Sequence, residues 1–252
     1  MIATLGDLNM HYKIDGTGKT IFLLHGLALD HTIWDELVAL YSDQARFIRP
    51  DLRGHGLTNL GSADGSLEQF ASDIVKLADH LEIEKFILAG HSMGGYTSLA
   101  FAEKYAERLN GLIMVTSNAQ EDDSERKQNR RVDAEQVLKL GSVYAAEKMA
   151  PKLTWDQSVQ KTCFELISGT TPEGIANVQK AIASRRNRLD VIADLEVPFL
   201  AIAGEEDQLR PPTVAYEMVE KAKIGKIVVL PGVGHMPMME APLTLGALLL
   251  TV

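Results

Sequence analysis

The sequence predicts an α/β fold in which a mostly parallel, eight-stranded sheet is flanked by helices and interrupted by a helical insertion. Three observations predict it. Short apolar runs such as Ile21-Phe22-Leu23-Leu24, Phe199-Leu200-Ala201-Ile202-Ala203 and Ile227-Val228-Val229-Leu230 have the length and texture of strands, the first that of a buried parallel one. Segments with helical apolar spacing alternate with them, as crossovers between parallel strands must. From Asn118 to Arg188, by contrast, several amphipathic segments follow one another with no strand candidate among them.

At 252 residues the chain can bury a large core, and 23% charged residues is ordinary for a globular protein rather than a disordered one. A formal charge of −9 argues against a nucleic-acid or anionic-membrane partner, since either needs a basic face. The single cysteine, Cys163, excludes an intrachain disulfide and a cysteine metal cluster. Met1 leads straight into strand-like sequence with no basic-plus-apolar leader, and the apolar runs are too short to span a bilayer. A cytoplasmic monomer or homodimer without a cofactor is expected.

In chain order, Ile2 to Leu5 and Met10 to Ile14 read as two short strands joined at Gly6-Asp7. Gly18-Lys19-Thr20 resembles the end of a phosphate-binding loop, but the first glycine of that motif would fall at Lys13 and a strand follows instead of a helix. The strand Ile21 to Leu24 runs into His25-Gly26-Leu27, where His25 is read as bracing the loop. Trp34 to Leu40 reads as a short helix, and Phe47 to Pro50 as a strand leading into Asp51-Leu52-Arg53-Gly54-His55-Gly56, where Asp51 and Arg53 could pair. His25, His55 and Asp51 lack the spacing of metal ligands, so no metal site is expected. Ser66 precedes Leu67-Glu68-Gln69 in a capping-box pattern, and Phe70, Ile74, Leu77, Ala78 and Leu81 form the apolar stripe of the helix that follows.

The stretch Lys85 to Ala89 is strand-like and Tyr96 to Tyr105 helix-like; between them stands Gly90-His91-Ser92-Met93-Gly94-Gly95. A strand, a G-x-S-x-G turn and a helix is the geometry that exposes a nucleophilic serine, because the flanking glycines remove side chains that would clash at the sharp turn. The backbone N–H of Met93, at the start of the helix, and that of Leu27 are candidate donors to an oxyanion. Leu109 to Val115 is the next strand. Gln120 to Arg131 is almost wholly polar, and Ala134 to Leu140, Ser142 to Met149, Trp155 to Ile167 and Pro172 to Arg186 are amphipathic. Such an insertion, 118–188, is expected to form a cap over a core made of 1–117 and 189–252. The Ser-x-x-Lys pairs Ser124/Lys127 and Ser158/Lys161 lack companion motifs and carry no weight. After the strand ending at Ala203 come Gly204-Glu205-Glu206-Asp207, a helix from Thr213 to Lys221, the strand to Leu230, and Pro231-Gly232-Val233-Gly234-His235. The chain thus offers Ser92, then acidic residues, then His235, each in a loop that follows a strand.

Taken together, His25-Gly26, Asp51 through Gly56, Gly90 through Gly95, Gly204 through Asp207 and Gly234-His235 with Glu240-Ala241-Pro242 resemble the α/β-hydrolase superfamily, in particular small bacterial carboxylesterases with a helical cap. The resemblance covers nearly the whole chain and implies a catalytic triad of Ser92, Asp207 and His235 acting on a small-molecule ester. Glu205 and Glu206 stand beside the implied acid, and Asp122 or Asp123 is the alternative position for it. Leu27, Met93, Met236 and Trp155 are the expected substrate contacts, with Val137, Leu140, Met149 and Phe164 as further cap residues, which suggests a small to medium apolar acyl group. Net acidity disfavours polyanionic substrates, although Arg126 to Arg131 is locally basic. Lactone, peracid, thioester or carbon–carbon bond chemistry, and a slow-turnover hydrolase-like receptor, are the competing readings of the same scaffold. Leu243 to Val252 is apolar almost all round where the family has an amphipathic helix, which puts a terminal helix in question.

Overall fold

In a computed structural model, residues 1–62 and 65–252 are described. Eight strands form one sheet: β1 (Ile2–Leu5), β2 (Leu8–Asp15), β3 (Thr20–Leu24), β4 (Arg46–Pro50), β5 (Phe86–His91), β6 (Leu109–Val115), β7 (Phe199–Gly204) and β8 (Gly225–Leu230). Their spatial order is β1-β2-β4-β3-β5-β6-β7-β8. β1, β2 and β4 pair antiparallel, and every pairing from β4 to β8 is parallel. β5 and β7 are buried along their whole length, which is why they read as unbroken apolar runs.

Two apolar clusters lie against the sheet. One packs α2 (Leu67–His80) and α3 (Met93–Tyr105) through Phe70, Ile74, Leu99 and Phe101. The other packs the 3-10 turn His31–Trp34 and α1 (Asp35–Tyr41) through Trp34, Leu37 and Val38. Ser66 caps α2 by accepting from the Gln69 N–H, as its capping pattern predicts.

Five helices stand between β6 and β7: α4 (Ser124–Leu140), α5 (Ser142–Leu153), α6 (Gln157–Gly169), α7 (Pro172–Ser184) and α8 (Leu189–Asp194). Asp123, Asp156 and Thr171 cap α4, α6 and α7 with side-chain acceptors. The polar stretch from Gln120 is largely helical, forming the first turns of α4. It is organised by charge rather than by an apolar stripe: Asp122 pairs with Arg130 and, at 2.7 Å, with Arg185. The chain closes with α9 (Pro212–Lys221), α10 (Pro237–Glu240) and α11 (Pro242–Leu249). The apolar C-terminus does form a helix. Leu245 and Leu249 are fully buried, and Gly246 lets α11 close on Tyr41, where a Cβ would lie 2.2 Å from the ring. Among the described residues no helix is long and apolar enough to cross a membrane.

Candidate active site

The β5–α3 turn puts Ser92 at φ 50°, ψ −111°, a left-handed conformation that is strained for a residue with a side chain. The surrounding glycines make it attainable. A Cβ on Gly90 would lie 2.4 Å from the Gly94 carbonyl carbon, and one on Gly94 would lie 2.6 Å from the Leu24 carbonyl oxygen. Strand, helix and the neighbouring β3 therefore approach one another more closely than any other residue type permits. The Ser92 N–H donates to the Val115 carbonyl at 3.0 Å and its own carbonyl accepts from the Ser117 hydroxyl at 2.7 Å, so the turn is held from β6.

His235 follows β8 and Asp207 follows β7. They meet through a 2.6 Å hydrogen bond between His235 Nδ1 and Asp207 Oδ2. A carboxylate only accepts, so Nδ1 carries the proton and a neutral ring keeps its free lone pair on Nε2. The other Asp207 oxygen accepts from the N–H groups of Leu209 and Arg210 at 2.8 and 2.9 Å, which fixes the acid. Asp122 and Asp123 are occupied elsewhere, one by two arginines and one as the cap of α4. Glu205 accepts from the Gly232 N–H.

The histidine's main chain is tied on every side. Its N–H donates to the Leu153 carbonyl at 2.7 Å. Its carbonyl accepts from His91 Nε2 at 2.9 Å and from the Thr116 hydroxyl at 3.0 Å. The Glu240 carboxylate accepts from the N–H groups of the two flanking residues, Gly234 and Met236, each at 2.8 Å. Burial holds His91 well below the usual imidazole range, so it stays a neutral donor. Sequence reasoning assigned no role to His91, whose partner lies 144 residues away; nothing local in the chain signals that contact.

Ser92 and His235 line one cavity of ≈ 190 Å³, together with Leu27 and Met93. It lies between the loops that follow β3, β5, β7 and β8 and the inserted helices α4, α5 and α7. Among the described residues the Ser92 hydroxyl makes no hydrogen bond, and the N–H groups of Leu27 and Met93 donate none.

Two expected substrate contacts are absent from the cavity. Met236 is fully buried in the core beneath it. Trp155 lies in the turn between α5 and α6, 67% exposed. Of the other cap candidates, Met149 lines the cavity, Val137 and Phe164 pack among the inserted helices, and Leu140 faces solvent. In exchange, among the described residues, the cavity wall contains Arg130, Lys148, Lys152 and Arg210, and one carboxylate, Asp133.

The histidines and acids near β2 form a separate cluster. His25 braces its loop, donating from Nδ1 to the Gly26 carbonyl and accepting at Nε2 from the Leu52 N–H, both at 2.8 Å. Asp51 does not pair with Arg53. It accepts from His11 and His31 at 2.9 and 2.7 Å and from the N–H groups of His31 and Leu57. Arg53 forms a two-pronged pair with Asp73, 2.9 Å on each arm, and reaches Asp7. His11, His31 and Asp51 lie close enough together to suggest a cation site. Their facing ring nitrogens donate to the carboxylate, so they offer no lone pair there, and the cluster ties β2 to the loops after β3 and β4.

Comparison with known proteins gives a consistent picture. The alpha/beta hydrolase fold family matches residues 19–242. A thermophilic esterase from Thermogutta terrifontis, solved with malate bound, superposes with a TM-score of 0.94 at 34% identity, covering 99% of this chain and 94% of that one. The enol-lactonase of Burkholderia xenovorans LB400 superposes with a TM-score of 0.91 at 25% identity, covering 100% and 98% of the two chains. The curated 3-oxoadipate enol-lactonase 1 of Acinetobacter baylyi is 28% identical over 96% of this chain and 92% of its own.

Proposed function

Because the chain belongs to the α/β-hydrolase fold family, we propose that it is a serine hydrolase cleaving carboxylic esters of small to medium acyl groups through Ser92, His235 and Asp207. The observation that carries this reading is the 2.6 Å Asp207–His235 bond opening onto the cavity that Ser92 also lines. In the first half-reaction the Ser92 hydroxyl attacks the ester carbonyl carbon and gives its proton to His235 Nε2. Asp207 holds the imidazole in the correct tautomer and stabilises the imidazolium. The carbonyl oxygen becomes an oxyanion between the N–H groups of Leu27 and Met93, two dipoles fixed before the charge appears; losing one such donor costs about 10²–10³ in rate. Collapse breaks the carbon–oxygen bond of the leaving alcohol, which takes the proton back from His235. Water then repeats the sequence on the acyl-enzyme and releases the acid. The inserted residues, 118–188, act as a cap that excludes water from the cavity during these steps.

The test is turnover of p-nitrophenyl acetate with a burst equal to the enzyme present, together with covalent labelling by a fluorophosphonate. Ser92→Ala abolishes labelling and lowers turnover by about 10³-fold or more. Undiminished turnover in that variant refutes the assignment. A lactone is an internal ester and follows the same steps. The two enol-lactonase relatives favour it as the second reading, and a lactone panel on the same preparation decides between them.

A further inference from the structure

The cavity wall facing the nucleophile is built differently from what an apolar acyl chain needs. Tyr96, one helical turn beyond Ser92, is 3% exposed and lines the cavity. Its hydroxyl oxygen accepts from Arg210 Nε at 2.9 Å and from Arg210 Nη2 at 2.5 Å. That leaves the single phenolic proton without an acceptor among the described residues. Among the described residues the Arg210 side chain is hydrogen-bonded to no carboxylate, although Asp122 and Asp207 lie close enough to act on its charge: its third contact is to the Leu209 carbonyl at 2.6 Å. The Tyr96 ring also lies 4.3 Å from the Arg185 guanidinium carbon. Arg130 completes the group, bonded to Asp122 and, at 3.0 Å, to Gln179. Among the described residues, three guanidinium groups thus surround one phenol, and two carboxylates, Asp122 and Asp207, offset part of their charge. The other charged pair on the wall, Lys148 with Asp133, is internally balanced, and Lys152 adds a further cation. In a chain of net charge −9, this concentration of positive charge around the reacting groups is not a consequence of composition. Burial raises the Tyr96 phenol, but Arg210, Arg185 and Arg130 outweigh it and bring the net shift down, as expected of a site that favours negative charge.

We infer that Arg210 and the Tyr96 hydroxyl form a carboxylate-binding subsite, so that the preferred substrates are small esters or lactones bearing a second, free carboxylate. A guanidinium and a phenolic proton left without an acceptor call for a ligand that only accepts hydrogen bonds, and a carboxylate does so at both oxygens. The volume of ≈ 190 Å³ is small beside the roughly 300–1,000 Å³ of drug-sized clefts, so the carboxylate lies a few carbons from the scissile bond. This rests on the serine-hydrolase reading and narrows its substrate class, away from the apolar acyl group the sequence suggests.

The experiment compares matched esters on the purified protein by titrating released acid. Monoethyl succinate is set against ethyl 4-methylpentanoate, in which an isopropyl group replaces the carboxylate, and O-acetylglycolate against isobutyl acetate. The first pair puts the charge on the acyl side, the second on the alcohol side. At least one charged member is expected to exceed its uncharged isostere in kcat/KM by about 10- to 100-fold, the range of a charge-assisted hydrogen bond. Arg210→Met is expected to reduce that ratio to about one, and Arg210→Lys to retain part of it. Calorimetry of succinate against butyramide on Ser92→Ala reads the subsite without turnover. Hydrolysis of the uncharged esters with no preference for the charged ones overturns the subsite and leaves the hydrolase reading intact. Succinate binding that Arg210→Met abolishes, with no ester cleaved by the native chain, overturns the hydrolase reading and keeps the subsite. Equal affinity for succinate and butyramide overturns the subsite in either case.

Discussion

Gly90→Ala tests whether the serine's position depends on the closeness of strand, turn and helix. The added Cβ would lie 2.4 Å from both the carbonyl carbon and oxygen of Gly94 and 2.5 Å from the Gly95 N. All three are main-chain atoms at the start of α3, so no side-chain rotation relieves the clash. Ordinary contact begins at 3.4 Å, so β5 and α3 must separate by about 1 Å at the turn. A 1 Å misplacement of a reacting group can cost about 10²-fold in rate, and overpacking costs about 1–3 kcal/mol of stability. At about 2–4 °C per kcal/mol for a chain of this size class, Tm falls by roughly 2–12 °C. The assay is kcat for p-nitrophenyl acetate alongside a thermal melt. Gly169→Ala is the control: nothing lies within 4 Å of its Cβ position at the end of α6, so kcat should hold and stability rise by up to about 1 kcal/mol. A Gly90→Ala protein with native kcat and native Tm would refute the geometric account of the turn.

Two more perturbations probe the scaffold around the site. Glu240→Ala removes the carboxylate that receives the N–H groups on either side of His235, so kcat should drop about 10- to 100-fold with KM little changed, because the imidazole loses its fixed aim while the cavity is untouched. An unchanged kcat shows that the loop is held well enough by its bonds to Leu153, His91 and Thr116. Thermal melts between pH 4 and 8 should show stability falling as the solution is acidified from about 6.5. Burial lowers His55 to about 3 and also lowers His25 and His91, so the unfolded chain takes up protons that the folded one refuses below the ordinary imidazole value. At pH 5, His55 alone contributes a loss of about 2 kcal/mol, an order-of-magnitude figure. Asp51 and Asp122 act in the same direction at lower pH: hydrogen bonds and opposite charges outweigh burial to hold both below the usual carboxylate value, and that stability fades as pH falls through the native titration. A Tm that holds or rises down to pH 4.5 contradicts this.

How far the chain could be read depended on whether each feature is local. The central parallel strands announced themselves because burial on both faces leaves no polar alternation, and the serine turn because its glycines are fixed by contacts a few residues away. The Ser66 cap is equally local. The cavity wall was not readable in the same way. Met236 follows His235 in sequence, but its side chain enters the core while the histidine faces the cavity, and adjacency says nothing about that division. Trp155 has the composition of a buried anchor, yet it falls in the turn where Asp156 caps α6. Arg130 belongs to a stretch read as almost wholly polar and locally basic, and its partners Asp122 and Gln179, 8 and 49 residues away, turn it inward. Apolar periodicity finds cores; it is silent about charges that are buried in pairs.

This contrast points to a division of labour. The main chain of Ser92 bonds to that of Val115 and the main chain of His235 to that of Leu153, while the His91 and Thr116 side chains donate to the His235 carbonyl. The backbone–backbone bonds to Val115 and Leu153 survive most side-chain replacements. Much of the opposite wall consists of side chains on α4, α5 and α7, whose identity can change without moving Ser92 or His235. Substrate choice should therefore be more open to substitution than the chemistry, with one exception. Leu153 ends α5, and its carbonyl accepts the His235 N–H at 2.7 Å. A shift of α5 that enlarges the cavity also pulls on the imidazole, so replacements that move that helix should alter kcat along with KM, while those confined to α4 or α7 alter KM alone.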